Sequence, residues 1–151
     1  MEPRPIRHRR ARRTDRAAID ALLSGAGITA GSDERSARSR FRRVVADLGS
    51  DLYVATIDEQ VVGVVHLTYA RHLIDGQRAI LELLIVLPAV RRRGVGTALA
   101  ELAAARAGLR HCRVLTHRAG PLDAGARAFL GHLGWPPGGE QWQIDVGPTP
   151  T

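Results

Sequence analysis

Apolar and polar positions follow two periods along this chain, and the places where the period changes mark its elements. Ala18, Ile19, Leu22 and Leu23 recur at helical spacing behind Thr14 and Asp15, which suit a helix N-cap, and Ser24-Gly25-Ala26-Gly27 closes that segment. Phe41, Val44, Val45 and Leu48 form a second helical stripe, predicting a helix over about 33–48 that stops at Gly49-Ser50-Asp51. From Leu52 to Ile57 the residues turn β-branched and aromatic. Asp58-Glu59 is a tight polar connection, and Val61 to Tyr69 reads as the return strand of an antiparallel hairpin. Ile6 to Arg12 is a weaker candidate for a first strand, because arginine dominates it.

A polar loop around Asp75-Gly76-Gln77 leads to a nearly all-apolar run, Ala79 to Leu87, which predicts a central strand covered on both faces. Pro88 ends it. Three arginines and Gly94-Val95-Gly96 then open a helix predicted over about 95–106, buried through Leu99, Leu102 and several alanines and stopped by Gly108. A short strand over 113–116, a helix over 123–133 capped by Gly134, and a last strand over 142–146 complete the expected order. With no repeats and no internal linker, residues 1–151 read as one α/β domain.

Composition narrows the function. Hydrophobic residues make up 44% of the 151, enough for a core, which excludes a wholly disordered chain. All 22 basic residues are arginine, and neither lysine nor asparagine occurs, so Schiff-base lysine chemistry is excluded, as is any role for an asparagine carboxamide. The net charge is +7, and residues 1–16 hold seven arginines against Glu2 and Asp15. No aromatic residues are interleaved there for base stacking, so the cluster reads as a solvated edge strand and argues against nucleic acid as the partner. Cys112 is the single cysteine, and the His and Cys positions lack metal-ligand spacing, so neither an internal disulfide nor a metal is implied. The N-terminus lacks the apolar segment of a secretory signal, and no run approaches the roughly 20 apolar residues of a membrane span. A cytoplasmic protein with no membrane association, monomeric or homodimeric, is expected.

The chemistry concentrates where the apolar strand delivers a glycine turn into a helix. The first turn of a helix has unpaired N–H groups and the positive end of its dipole, so this arrangement binds anions. A dinucleotide loop needs a third glycine where Leu99 stands, and a Walker loop needs a lysine. Arg91, Gly94 and Gly96, preceded by Val86 and Pro88, instead resemble the R/Q-x-x-G-x-G/A signature and V-x-P strand end of the GNAT superfamily of N-acyltransferases. Ala128 to Trp135 is similar to the family's A-x-x-F-Y-x-x-L-G-F segment, and the element order matches over most of the chain.

That resemblance implies a mixed, mostly antiparallel sheet of about 6–7 strands flanked by about four helices, with acetyl-CoA as acyl donor. Backbone groups of Leu84, Ile85 and Val86 would pair with the pantetheine amides. Arg91, Arg92, Arg93, Gly94, Val95, Gly96 and Thr97 would form the pyrophosphate loop, and Asp123 stands where many members touch the cofactor with asparagine. Val114, Leu115 and Thr116 would wall the acyl gap. Leu130 replaces the tyrosine that many members use as general acid, leaving His117 as another candidate donor. Glu82, the one ionisable residue inside the apolar strand, is the expected general base. The expectation is therefore direct acetyl transfer from acetyl-CoA to a small-molecule or peptide amine, with the Val86 N–H stabilising the oxyanion. The alternatives are a CoA-binding protein of this fold without catalysis, and an arginine-rich nucleic-acid- or partner-binding module.

Overall fold

The apolar segments downstream of Asp51 build the centre of the fold. A computed structural model describes residues 2–28, 33–118, 124–138, 144 and 146. Strands β2 (Asp51–Ile57) and β3 (Gln60–His72) form the expected hairpin, with Asp58 and Glu59 both left-handed at φ 49° and 65°. That turn conformation matches the twist of the strands it joins. β1 (Arg7–Arg10) pairs antiparallel with β2, β4 (Gly76–Val86) antiparallel with β3, and β5 (Val114–His117) parallel with β4. The order is β1-β2-β3-β4-β5. Five strands among the described residues are fewer than the six or seven expected. The missing strand over 142–146 falls largely outside the described residues.

Four helices cover the sheet: α1 (Arg16–Gly25), α2 (Glu34–Ala46), α3 (Val95–Leu109) and α4 (Ala124–His132). On one face Ile19 and Leu22 of α1 bury against Leu52, Val54, Val64 and Ile85, with Phe41, Val44 and Val45 of α2 packed alongside. On the other, Val95, Leu99 and Ala103 of α3 pack on Ala55, Val62, Val65, Leu67 and Leu81. Burying each of Leu67, Leu81 and Leu99 stabilises the fold by about 1.5–3 kcal/mol. Among the described residues no helix is long and apolar enough to cross a membrane.

Local chemistry sets the helix ends. Asp33 caps α2 by accepting from the Ser36 N–H at 2.8 Å. Asp15, expected to cap α1, precedes it but accepts from the Arg12 N–H and from both guanidinium nitrogens of Arg9. Gly134 (φ 81°) ends α4, and the Trp135 N–H reaches the Leu130 carbonyl at 2.9 Å, a glycine-closed helix end. The expectation that β4 is covered on both faces fails in part. Ala79, Leu81 and Ile85 are buried, but Glu82 is exposed.

The fully buried Asp51 ties the elements together. Its carboxylate accepts from Arg10 at 2.9 Å, Arg106 at 3.1 Å, Arg110 at 3.2 Å and the Tyr69 hydroxyl. Arg10 and Arg106 also lie over the Tyr53 ring, and Arg110 over that of Tyr69. One side chain thus links β1, β2, β3 and the end of α3. Burial pushes its pKa up, but hydrogen bonds from Arg106 and Tyr69 and the nearby guanidinium charges prevail and hold it at about 2. A carboxyl lowered on folding stabilises above its unfolded pKa of about 3.9 and loses that contribution as pH falls through about 2. Asp51→Asn is therefore expected to cost on the order of 3 kcal/mol at pH 7. Urea titrations should also show less acid destabilisation between pH 4 and 2 in the variant than in the parent.

Candidate active site

The sheet opens at one residue. In the β3–β4 ladder His66 faces Leu83 and Leu67 faces Leu81, so Glu82 is an extra residue on β4, a β-bulge. The packing confirms the inserted step. Leu81 belongs to the α3-side core, yet beyond it Leu84 and Val86 pack on that side while Leu83 and Ile85 join the α1–α2 side. Without the bulge, period two would place Leu83 and Ile85 with Leu81. Among the described residues β5 pairs with β4 from Arg78↔Val114 to Leu81↔His117, so the pairing ends next to the bulge.

Past that point β4 remains bonded to β3 through Val86, and its other edge is uncovered by β5. The Leu87 N–H donates to Val62, and the Ile85 carbonyl lies against Gly63, so both point to β3. Backbone alternation turns the N–H and C=O groups of Leu84 and Val86 to the open side. A Cβ on Gly63 would come within 2.9 Å of the Leu99 side chain and 3.3 Å of the Ile85 carbonyl, so α3 seats closely under this opening only over glycine.

The loop from β4 to α3 supplies donors. Arg92 and Gly94 are left-handed at φ 69° and 82°, and the first α3 bond runs from the Ala98 N–H to the Gly94 carbonyl. The N–H groups of Val95, Gly96 and Thr97 thus stand before the helical ladder, without acceptors among the described residues. The Arg93 N–H instead closes a turn onto the Val90 carbonyl at 3.3 Å. Arg91, Arg92 and Arg93 are exposed and form no ion pair among the described residues. Gly96 serves packing as well: a Cβ there would sit 3.2 Å from Phe129 of α4 and 3.6 Å from Val86.

Glu82 sits on the α1–α2 face, because Thr68 of β3 donates its hydroxyl to Glu82 Oε1 at 2.6 Å. His66 lies on the same face, one pair along. Burial lowers the His66 pKa, and the charges of Glu82 and Asp47 oppose that shift. His117 stands where the strands part, its Nδ1 2.8 Å from the Leu81 carbonyl. A carbonyl only accepts, so Nδ1 carries the proton, and in the neutral ring Nε2 holds a lone pair. The segment Val114, Leu115 and Thr116, expected to wall the gap, pairs with β4 on the closed side of the opening, and only His117 reaches the vertex. Leu130 is half-buried in α4, and Asp123 lies outside the described residues.

The structure therefore brings together Glu82, the open edge of Leu84 and Val86, and the N–H groups of 94–97. Thr68 and Gly63 belong to this assembly and went unnoticed in the sequence, whereas Phe129 had been matched only as part of the Ala128 to Trp135 segment. Gly63, a glycine inside a β-branched run, is the one that could have been suspected as a close approach.

The chain matches the model of the acetyltransferase (GNAT) family over residues 18–135, and it belongs to that family. No curated protein sequence matches it. Solved structures share the fold at low identity. An aminoglycoside N-acetyltransferase AAC(6')-Iy in complex with CoA has a TM-score of 0.82 at 15% identity, over 96% of this chain and 97% of that one. A transcriptional regulator from Bacillus halodurans C-125 has a TM-score of 0.81 at 22% identity, over 94% and 100%. A ribosomal-protein-alanine N-acetyltransferase from Brucella melitensis biovar Abortus 2308 has a TM-score of 0.75 at 17% identity, over 95% and 100%.

Because the Gly63 contacts include a backbone carbonyl as well as Leu99, Gly63→Val is expected to destabilise the protein by about 1–3 kcal/mol. Chemical denaturation would measure the loss, and an unchanged midpoint would show that α3 can move away.

Proposed function

We propose that this chain transfers the acetyl group of acetyl-CoA to a primary amine by direct attack, with Glu82 as general base. The observation that carries the reading is a coincidence at one place in the fold: the bulge at Glu82, the end of β4–β5 pairing and the helix N-terminus all border one opening. These residues fit a ligand with an amide-bearing arm and a polyanionic end. Leu84 and Val86 turn free N–H and C=O groups to the opening, and unpaired N–H groups precede α3. When bound, acetyl-CoA supplies the activated thioester.

The chain's own residues divide the work. Leu84 and Val86 hold the pantetheine arm as an added strand would, while the Ile85 backbone faces β3 and contributes through its neighbours. The N–H groups of Arg92, Gly94, Val95, Gly96 and Thr97 receive the pyrophosphate, with Arg91, Arg92 and Arg93 in the same loop, and Asp123, outside the described residues, stands in sequence where many members touch the cofactor. Thr68 fixes one Glu82 oxygen and leaves the other to take the ammonium proton, directly or through water. The Val86 N–H stabilises the charge developing on the carbonyl oxygen. His117 commits Nδ1 to the Leu81 carbonyl, so only its Nε2 could serve a leaving group. With Leu130 on α4, the sulfur departs as a thiolate, which a thiol of pKa about 8.5 permits near neutrality. Residues 1–151 act as one domain in this reading, in the cytoplasm.

Acetyl-CoA at 100 times its dissociation constant should stabilise the protein by about 2.7 kcal/mol. No change in melting temperature at saturation would overturn the cofactor site. Glu82→Gln should lower turnover at pH 7 by about 100-fold, measured as thiol release, while leaving the acetyl-CoA thermal shift in place. Unchanged turnover would remove Glu82 from the mechanism. If the parent protein binds acetyl-CoA but releases no thiol with any amine, the domain binds CoA without catalysis.

Gly94→Val adds a branched side chain at φ 82° in otherwise open space, so it should distort the loop without disturbing the core. Acetyl-CoA affinity is expected to fall about tenfold or more by calorimetry, with a modest loss of intrinsic stability. Gly96→Asp should weaken binding too, but its side chain also displaces Phe129.

A further inference from the structure

The excess charge of the chain is localised. Residues 1–47 hold 12 arginines against six acidic side chains, whereas residues 48–151 hold ten against nine. Part of the N-terminal charge is internal to the fold, since Arg9 pairs with Asp15, Arg10 with Asp51 and Arg16 with Glu34. Arg4 pairs with Asp58, and the exposed arginines include Arg12 and Arg13 ahead of α1, and Arg35, Arg38, Arg42 and Arg43 on α2. Of these six, only Arg38 has an ion pair among the described residues, to Glu34 at 3.6 Å.

These cations form one surface on the elements that cover one face of the sheet. The two bonds from Arg16 to Glu34, 2.7 and 2.9 Å, tie the start of α1 to the start of α2, which brings Arg12 and Arg13 to the same end as Arg35. Arg35, Arg38 and Arg42 then follow one another along a single helix face, with Arg35 and Arg42 ~10 Å apart along the axis. α1 and α2 cover the sheet face that carries Glu82, Thr68 and His66, and the charge of Asp47, just beyond α2, reaches His66. The arginine rows therefore lie on the elements that cover the sheet face carrying Glu82.

We infer that the amine acceptor is presented by an acidic polypeptide, its N-terminus or a lysine lying among Asp and Glu residues that dock on α2 and the segment before α1. This rests on the acetyl-transfer reading above and adds the substrate class. The acceptor must supply both a nucleophilic aliphatic amine and several anionic groups. A polyamine or an aminoglycoside supplies the amine but is a polycation, repelled by this surface. A nucleic acid supplies the anions, but its base amines are poor nucleophiles. The single aromatic residue in 1–47, Phe41, is packed into the core rather than offered for stacking. An extended acidic chain supplies both, its same-side carboxylates ~7 Å apart. Guanidinium groups pair with such carboxylates in bidentate fashion.

Two measurements test this on the full chain. Fluorescence anisotropy would compare a labelled decapeptide of alternating Ala and Glu, carrying a free N-terminus, with an Ala-Gln control. Thiol release from acetyl-CoA would be read with the same peptides unlabelled, and with spermidine and kanamycin. The acidic peptide is expected to bind at least about tenfold more tightly than the control, and to show the higher kcat/KM, at 50 mM salt. Both differences should shrink at 500 mM. The double variant Arg35→Glu/Arg42→Glu should lose the binding preference and raise KM for the acidic peptide, while keeping kcat and the acetyl-CoA thermal shift. Arg35→Gln/Arg42→Gln should give an intermediate result, and it serves if charge reversal impairs folding. Equal binding of the two peptides, faster turnover of spermidine or kanamycin, or displacement of the peptide only by a 20-base-pair duplex would overturn the inference. Salt-sensitive binding of the acidic peptide without turnover of any amine would support the docking surface and refute acetyl transfer instead.

Discussion

One extra residue in β4 decides the shape of this molecule. The bulge at Glu82 breaks the two-residue alternation and exchanges which side chains enter which core. It also bends β4 where β5 stops following it. A regular strand would have continued the parallel ladder past Leu81↔His117 and sealed the sheet. The irregularity instead leaves Leu84 and Val86 with outward backbone groups and places a carboxylate at the mouth of the opening. The bulge carries its own polar partner, because Thr68 holds Glu82 at 2.6 Å.

Arginine stands in three separate settings in this lysine-free chain. Arg10, Arg106 and Arg110 converge on Asp51, where a buried carboxylate needs several donors to remain ionised. That hub fixes the edge strand and the end of α3 against the central hairpin. Arg91, Arg92 and Arg93 lie in the loop before α3, exposed and next to unpaired N–H groups. The arginines of α2 and of the segment before α1 form the outer surface on the Glu82 side. At Asp51 the planar fork is used directly, since Arg106 donates both Nε and Nη2 to the carboxylate.

The glycines around the opening also differ in purpose. Gly94 is left-handed with open space around it, so its value is conformational. Gly63 and Gly96 are closely packed, since a Cβ would come within 2.9 Å of Leu99 of α3 at the first and 3.2 Å of Phe129 of α4 at the second. A glycine spacing that looks like a single binding motif in sequence is, in space, a turn residue next to a packing residue.

The sequence by itself determined the element order, the hairpin, the glycine loop before α3 and the cap at Gly134, because these depend on neighbours within a few positions. It also exposed Glu82, since one carboxylate in an apolar run stands out. It could not reveal the bulge: Leu83, Leu84, Ile85 and Val86 are all apolar, so a shift of one residue between two hydrophobic faces leaves no trace in the pattern. Nor could it reveal the partners of the N-terminal arginines. Arg10 meets Asp51 across 41 positions, and Asp51 meets Arg106 across 55. The proton on His117 Nδ1 likewise follows from a carbonyl 36 residues away. Periodicity and capping act locally and are written in order along the chain. Register, ion pairing and tautomer arise from contacts between distant segments, and only the folded arrangement selects them.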